Sequence, residues 1–186
     1  MIEAVVLPIP AWQNFYVIIG TSAGALTGLM FVVITLIANR NTGQKSRLSV
    51  DAFGTPIVVH FCMVLLIAAI LSAPWQAAWN AGLLLGLTGL GGVIYLVIVV
   101  LRTRRQASYQ LVIEDWVWYL LFPFISYLVL LASAILLPSY PAPALYVIGG
   151  VTVLLLFTGI RNAWDTVTYI ALDLVQPEDK QQDQES

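Results

Sequence analysis

The sequence predicts an all-α integral membrane protein, a bundle of five transmembrane helices. The chain has 186 residues, of which 60% are hydrophobic and 10% are charged, and its mean hydropathy is +0.88. A soluble domain of this size has too little interior to bury so much apolar surface. Aspartate, glutamate, lysine and arginine are also absent from residues 4–39, 52–101 and 116–160. Because a span needs about 20 residues, these stretches can hold one, two and two spans.

Prolines and polar residues set the limits of the five predicted helices. Pro8 and Pro10 break the start of the first uncharged stretch, and residues 72–76 and 138–143 interrupt the second and third. Pro123 lies inside the fourth helix and predicts a kink there. The predicted helices are residues 12–38, 50–71, 78–101, 111–137 and 143–175, which together form a transmembrane domain over 1–176.

The last helix changes character beyond Ile160. Apolar residues then recur on one side only, and Asn162 and Asp165 lie on the polar side, which predicts an amphipathic inner end at the membrane surface. Pro177 ends that segment. Residues 177–186 are acidic and glutamine-rich, and we predict that they form a disordered tail.

Basic residues predict the orientation in the membrane. Six of the eight lysines and arginines fall in the loops after the first and third helices. By the positive-inside rule these loops face the cytoplasm, so the N-terminus is expected outside and the C-terminus in the cytoplasm. Tryptophans near both predicted membrane boundaries agree with this orientation. The six basic loop residues are Arg40, Lys45, Arg47, Arg102, Arg104 and Arg105.

Two helices carry glycines at helical spacing. In water each would cost a helix about 1 kcal/mol relative to alanine, whereas in lipid a bare ridge lets two helices approach closely. We therefore expect the first and third helices to pack together through their glycine faces, and we expect Gly24→Val to loosen the assembled protein. The predicted packing positions are Gly20, Gly24 and Gly28 on the first helix and Gly82, Gly86 and Gly89 on the third.

His60 is the ionisable residue that the pattern places deepest, about 13 Å from the inner end of the second helix. An ionisable residue at this depth could act as a proton relay, a gate or a ligand. Alternatively, it is a neutral imidazole that bonds a nearby Thr, Ser or Tyr and holds two helices together. Cys62 lies on a different helical face, where we expect a small core residue, so the two are poorly placed to share a metal.

Arg161 and Asp165 are four residues apart at the inner end of the fifth helix. They could form a gate latch or a partner contact, or simply an ion pair at the level of the lipid headgroups. The sequence has no zinc-protease, P-loop or serine-hydrolase motif and no pair of intramembrane aspartates. We therefore predict no enzyme activity, no catalytic residue, no cofactor and no metal. The basic residues are too few for a nucleic-acid surface.

Residues 20–34 and 159–165 resemble segments of small bacterial multi-pass membrane proteins of uncharacterised function. The resemblance implies a bacterial inner membrane and supplies no catalytic or binding residues. Five helices enclose little polar volume, so a pathway would lie between subunits. The leading hypothesis is a homo-oligomeric, channel-like pore for ions or small solutes, with His60 and a ring of Arg161 and Asp165 controlling passage. The alternative is a non-conducting scaffold that binds another membrane protein, with membrane lipid as a further partner in either case.

Overall fold

A computed structural model describes residues 9–39, 55–105 and 117–175, and within these ranges the chain is helical with no strand. The predicted all-α class is therefore confirmed. The predicted tail at 177–186, the loop with Arg40, Lys45 and Arg47, and the predicted helix starts at 50–54 and 111–116 lie outside the described residues. The helices are α1 (Gln13–Asn39, after a 3₁₀ turn at Ile9–Trp12), α2 (Thr55–Ser72), α3 (Ala78–Arg105), α4 (Phe122–Leu136, after a π turn at Val117–Leu121) and α5 (Pro141–Val175).

Four described segments are long and apolar enough to cross a membrane: Ile9–Leu36, Ala78–Leu101, Val117–Leu136 and Pro141–Thr168. The apolar part of α2, Pro56–Ser72, is shorter. At 1.5 Å per residue it is about 25 Å long, slightly less than a hydrocarbon core of roughly 30 Å. The chain is thus a membrane-embedded helical protein with four such spans among its described residues, and a fifth span at α2 stays a prediction.

Short turns join α2 to α3 and α4 to α5 at one end of the bundle, which we call the turn end. In the first turn the indole nitrogen of Trp75 donates to the carbonyl of Ile70. In the second turn the amides of Ser139 and Tyr140 both donate to the carbonyl of Leu136, at 3.1 and 2.8 Å. We call the opposite end, where α3 finishes in Arg102, Arg104 and Arg105, the basic end.

The interior of the bundle lies between α2 and α5. α2 packs against α1, α3 and α5, while α5 packs against α1, α2 and α4. In the most apolar part of each span, 56% of α5 is buried but only 17% of α1. α1 is therefore the helix with most of its surface free. Fully buried core residues include Ile57, Phe61, Val64 and Ile67 of α2 and Leu145, Ile148 and Leu155 of α5.

The predicted pairing of the first and third helices through their glycines is wrong. Gly20 of α1 faces α2, where an added Cβ would lie 3.0 Å from the Cβ of Ala68. Gly82 and Gly89 of α3 face the main chain of α4. Each glycine face thus packs on the helix that follows it in the chain, as sequential elements commonly do. A bare ridge predicts a close contact, and its partner depends on how the chain turns.

The two remaining α1 glycines make no tight contact with the residues that the structure describes. A Cβ at Gly24 would lie 3.9 Å from the side chain of Leu65, and one at Gly28 would meet no described atom within 4 Å. Of the three α1 glycines, Gly20 alone is therefore in close contact with another described helix, and the loosening expected from Gly24→Val stays a prediction.

Pro123 marks a change of hydrogen-bonding pattern. It is the second residue of α4, which begins at Phe122 directly after the π turn at Val117–Leu121. Proline has no N–H to donate to the carbonyl four residues earlier, and a π turn accommodates such a break in the α-helical ladder. The irregularity expected at Pro123 is therefore a junction between a π turn and an α-helix.

Candidate functional site

His60 is fully buried and bonded to a tyrosine of another helix. Its Nδ1 lies 2.9 Å from the hydroxyl oxygen of Tyr127 on α4, and both side chains have no exposed surface. Its other ring nitrogen, Nε2, has no hydrogen-bond partner among the described residues. This geometry matches the second alternative given for His60, in which a hydrogen bond from its ring to a nearby hydroxyl holds two helices together.

Glycines on two neighbouring helices make room for Tyr127 and for Phe61, the residue next to His60 in the chain. A Cβ added at Gly92 of α3 would overlap the ring of Tyr127, and one at Gly89 would lie 3.1 Å from the Tyr127 carbonyl oxygen. On the other side, Phe61 presses against Gly159 of α5, where an added Cβ would lie 2.6 Å from its ring. Four helices therefore meet in what we call the His60 cluster: His60, Phe61, Gly92, Tyr127 and Gly159.

Sequence reasoning found His60 but missed the other members of this cluster. Gly92 lies three residues after Gly89, so the predicted ridge of α3 could have been extended by one turn. Tyr127 was one of several hydroxyl-bearing residues that could have reached the histidine, and spacing along the chain does not select among them.

The His60 cluster offers one hydrogen bond, between the imidazole of His60 and the phenol of Tyr127. Among residues 9–39, 55–105 and 117–175, no three His, Cys, Asp or Glu side chains come together as a metal site. Cys62 is exposed, which corrects its expected place in the core. Two residues along an α-helix correspond to a rotation of about 200°. Because His60 faces the core, Cys62 therefore faces outward.

A second polar cluster joins α5 to the π turn at the basic end. The Arg161 guanidinium lies over the Trp118 ring, 4.6 Å from its centroid, and its Nε is 3.8 Å from an oxygen of Asp165. The two charged side chains are 40% and 43% exposed. Such partly exposed pairs contribute about 0–1 kcal/mol, so this pair is weak by itself. The cation–π contact positions Arg161 against the π turn.

Asn162 is the buried member of this second cluster. Its side-chain nitrogen donates to the main-chain carbonyl of Trp118 at 3.4 Å. Its main-chain carbonyl accepts from the hydroxyls of Tyr119 at 3.3 Å and Thr166 at 2.9 Å. The residue has no exposed surface. The sequence had placed Asn162 on the polar side of an amphipathic segment, whereas in the structure that side packs against the π turn. The structure thus places His60 in one cluster and Arg161 and Asp165 in another.

A third feature is a row of small residues on the exposed side of α1. Its members lie within one helical face because they are spaced by three or four residues or multiples of these. The hydroxyls of Thr21 and Thr35 donate to the carbonyls of Val17 and Phe31, at 2.7 and 2.8 Å. Their oxygens can still accept a bond from outside. This outer stripe of α1 comprises Thr21, Ala25, Gly28, Val32 and Thr35, all exposed.

No protein family, curated protein or solved structure matches this chain. The function is therefore inferred from the His60 cluster, the second polar cluster and the outer stripe of α1.

We expect the His60–Tyr127 bond to appear in a double-mutant cycle. Tyr127→Phe and His60→Leu should each lower the free energy of unfolding, because each leaves a buried polar atom unpaired. The double variant should lose less than the sum, with a coupling of about 0.6 kcal/mol, the average for hydrogen bonds between membrane helices, and no more than about 1.7 kcal/mol. Unfolding of all four proteins in lipid–detergent micelles measures it, with Tyr140→Phe at the exposed turn end as the control. Strict additivity would mean that the bond contributes nothing.

Proposed function

We propose that this chain is a non-conducting scaffold protein of a bacterial inner membrane, which associates with a membrane-embedded partner through the outer stripe of α1. The partner is a second copy of the chain in the simplest case. The proposed topology has five spans, with the N-terminus outside and the C-terminus in the cytoplasm. The distribution of basic residues supports this orientation, and the resemblance to small bacterial multi-pass proteins supports the location.

The outer stripe of α1 is the observation that carries the proposal. α1 has the smallest buried share of the four long apolar segments, although its surface combines glycine, alanine and threonine. In lipid, small residues favour helix association because they let two backbones approach closely and hydroxyls bond across the contact. No atom of the described residues lies within 4 Å of a Cβ built at Gly28, so they give it no packing role. A partner helix would give it one.

The interior of the bundle favours a non-conducting role. Between α2 and α5 the space is filled by large apolar side chains such as Phe61, Ile148 and Leu155, which have no exposed surface. The buried polar residue His60 is bonded to Tyr127 in the same packed interior. A path for ions needs a continuous row of polar groups or water. The packed apolar side chains that the structure describes between α2 and α5 do not form such a row.

A pore between subunits is the second candidate, and one observation favours it. Thr21 and Thr35 place hydroxyls on the exposed side of a long apolar helix. In a ring of copies with α1 facing inward, these hydroxyls would line a shared lumen, and Arg161 and Asp165 would lie nearer its basic end. This arrangement uses the same stripe but leaves it facing water instead of a second helix.

Gly28→Leu tests the association. We expect it to weaken the complex at least about tenfold, because a bulky side chain separates helices that pack through a small-residue face. Gly150→Leu on α5 is the matched control, since Gly150 is also exposed with no atom near its missing Cβ. The measurement is the oligomeric state, and any co-purifying membrane protein, after extraction in native lipid. A wild-type protein that is monomeric and without partner would contradict the proposal.

The same preparations decide between scaffold and pore. Reconstituted into liposomes, a scaffold should give no ion or solute flux above that of empty vesicles. Flux that disappears in the Gly28→Leu variant but persists in the Gly150→Leu variant would replace the scaffold proposal with the pore.

A further inference from the structure

An apolar groove lies between α3 and α4 on their basic-end halves. It has a volume of about 440 Å³, and its lining includes Leu96, Val97 and Leu101 of α3, Val117 and Leu120 of the π turn, and Phe124 of α4. This volume falls within the range of about 300 to 1,000 Å³ typical of small-molecule sites. The lining offers almost no polar surface, so a polar solute would lose its hydration there without replacement.

The groove begins where the glycines of α3 end. Gly82, Gly89 and Gly92 bring α3 against the main chain and Tyr127 ring of α4 in the half nearer the turn end. Beyond Gly92 the facing residues are large on both helices, starting with Leu96 and Phe124. The two helices therefore pack closely on one side of Gly92 and leave a gap on the other.

Position and charge together indicate the occupant. Val97, Leu101 and Leu121 line the groove and are also exposed on the outside of the bundle, at 45%, 55% and 48%. In a membrane this surface meets lipid chains. Directly after Leu101, the last turn of α3 carries Arg102, Arg104 and Arg105. Clusters of basic residues where a helix leaves the membrane attract anionic headgroups.

We propose that this groove binds one anionic phospholipid, with an acyl chain between α3 and α4 and its phosphate at the arginines that end α3. An apolar cavity alone would accept any lipid chain, and a basic cluster alone would attract any anionic surface. Their succession along one helix fits a molecule with both parts. The site is separate from the outer stripe of α1, so each proposal can fail without the other.

Native mass spectrometry of the full-length protein tests this site. The protein is exchanged into mixed micelles with equal amounts of phosphatidylglycerol and phosphatidylcholine that carry the same acyl chains. We expect one phosphatidylglycerol to be retained in preference to phosphatidylcholine. Val97→Trp, which fills the groove, should abolish retention, while Leu87→Trp, on an exposed position of the same helix outside the groove, should not.

The charge requirement is tested separately by combining Arg102→Gln, Arg104→Gln and Arg105→Gln. These changes leave the groove lining intact and should lower the preference for phosphatidylglycerol at least about tenfold. Equal retention of the two lipids by the wild-type protein would overturn the proposal. So would unchanged retention in the Val97→Trp variant, which would mean that the lipid binds elsewhere.

Discussion

Gly92→Leu should destabilise the protein by about 3 kcal/mol, one of the two largest effects that we expect. The new side chain would occupy the position of the Tyr127 ring, which is fully buried and has no exposed side to which it can move. Overpacking of this kind costs about 1 to 3 kcal/mol, and displacing Tyr127 also leaves His60 without its bond, for about 1 to 3 kcal/mol more. The free energy of unfolding in lipid–detergent micelles measures the effect.

Gly91→Leu is the control for this prediction. Gly91 is adjacent in the chain, on the same helix, but no atom lies within 4 Å of its missing Cβ. The residue change is identical, so the effect on helix propensity cancels between the two variants. Equal destabilisation by both would show that contact with Tyr127 does not determine the cost, and would contradict the packing described here.

Gly82→Ala should also be destabilising, although it adds a single methyl group. That methyl would lie 2.8 Å from the carbonyl oxygen of Ala134, a main-chain atom that cannot rotate away, so α3 and α4 would have to separate. We expect a cost of about 1 to 3 kcal/mol.

Gly86→Ala should not lower the stability as Gly82→Ala does. A methyl group at Gly86 would lie 3.8 Å from the Cβ of Ala134, an ordinary contact distance. Alanine is favoured over glycine in a helix by about 1 kcal/mol, so this variant should be neutral or slightly more stable. Thermal unfolding of both variants under one condition is the measurement. Gly82→Ala as stable as Gly86→Ala would mean that α3 and α4 are not packed as closely as described.

The positions of the two turns at the turn end could be predicted because they depend on local chemistry. Pro74 and Pro138 stop the hydrogen-bonding ladder wherever they occur, and long uncharged stretches are excluded from water regardless of the partner they meet. α5 begins at Pro141 instead of 143, since proline is tolerated in the first turn of a helix.

The contacts between helices were less predictable because they depend on which elements become neighbours. The ridge of Gly82, Gly86 and Gly89 was recognised correctly as a bare face, but its partner is α4 and not α1. A tyrosine was among the expected partners of His60, yet nothing local distinguishes Tyr127 from the other hydroxyl-bearing residues. Asn162 shows the same limit, because a polar residue near a helix end is buried only if another element covers it.

The π turn at Val117–Leu121 determines the direction in which the side chains just before α4 point. A π turn contains more residues per turn than an α-helix, so it changes the direction in which the preceding side chains point. Here the turn directs Trp118 and Tyr119 toward Arg161 and Asn162. Removing Leu120 or Leu121 would rotate Trp118 and Tyr119 by about 100° relative to α4 and carry both aromatic rings away from α5. The number of residues in this π turn is thus part of what defines the structure. It is changed by the insertion or deletion of a residue and not by a substitution.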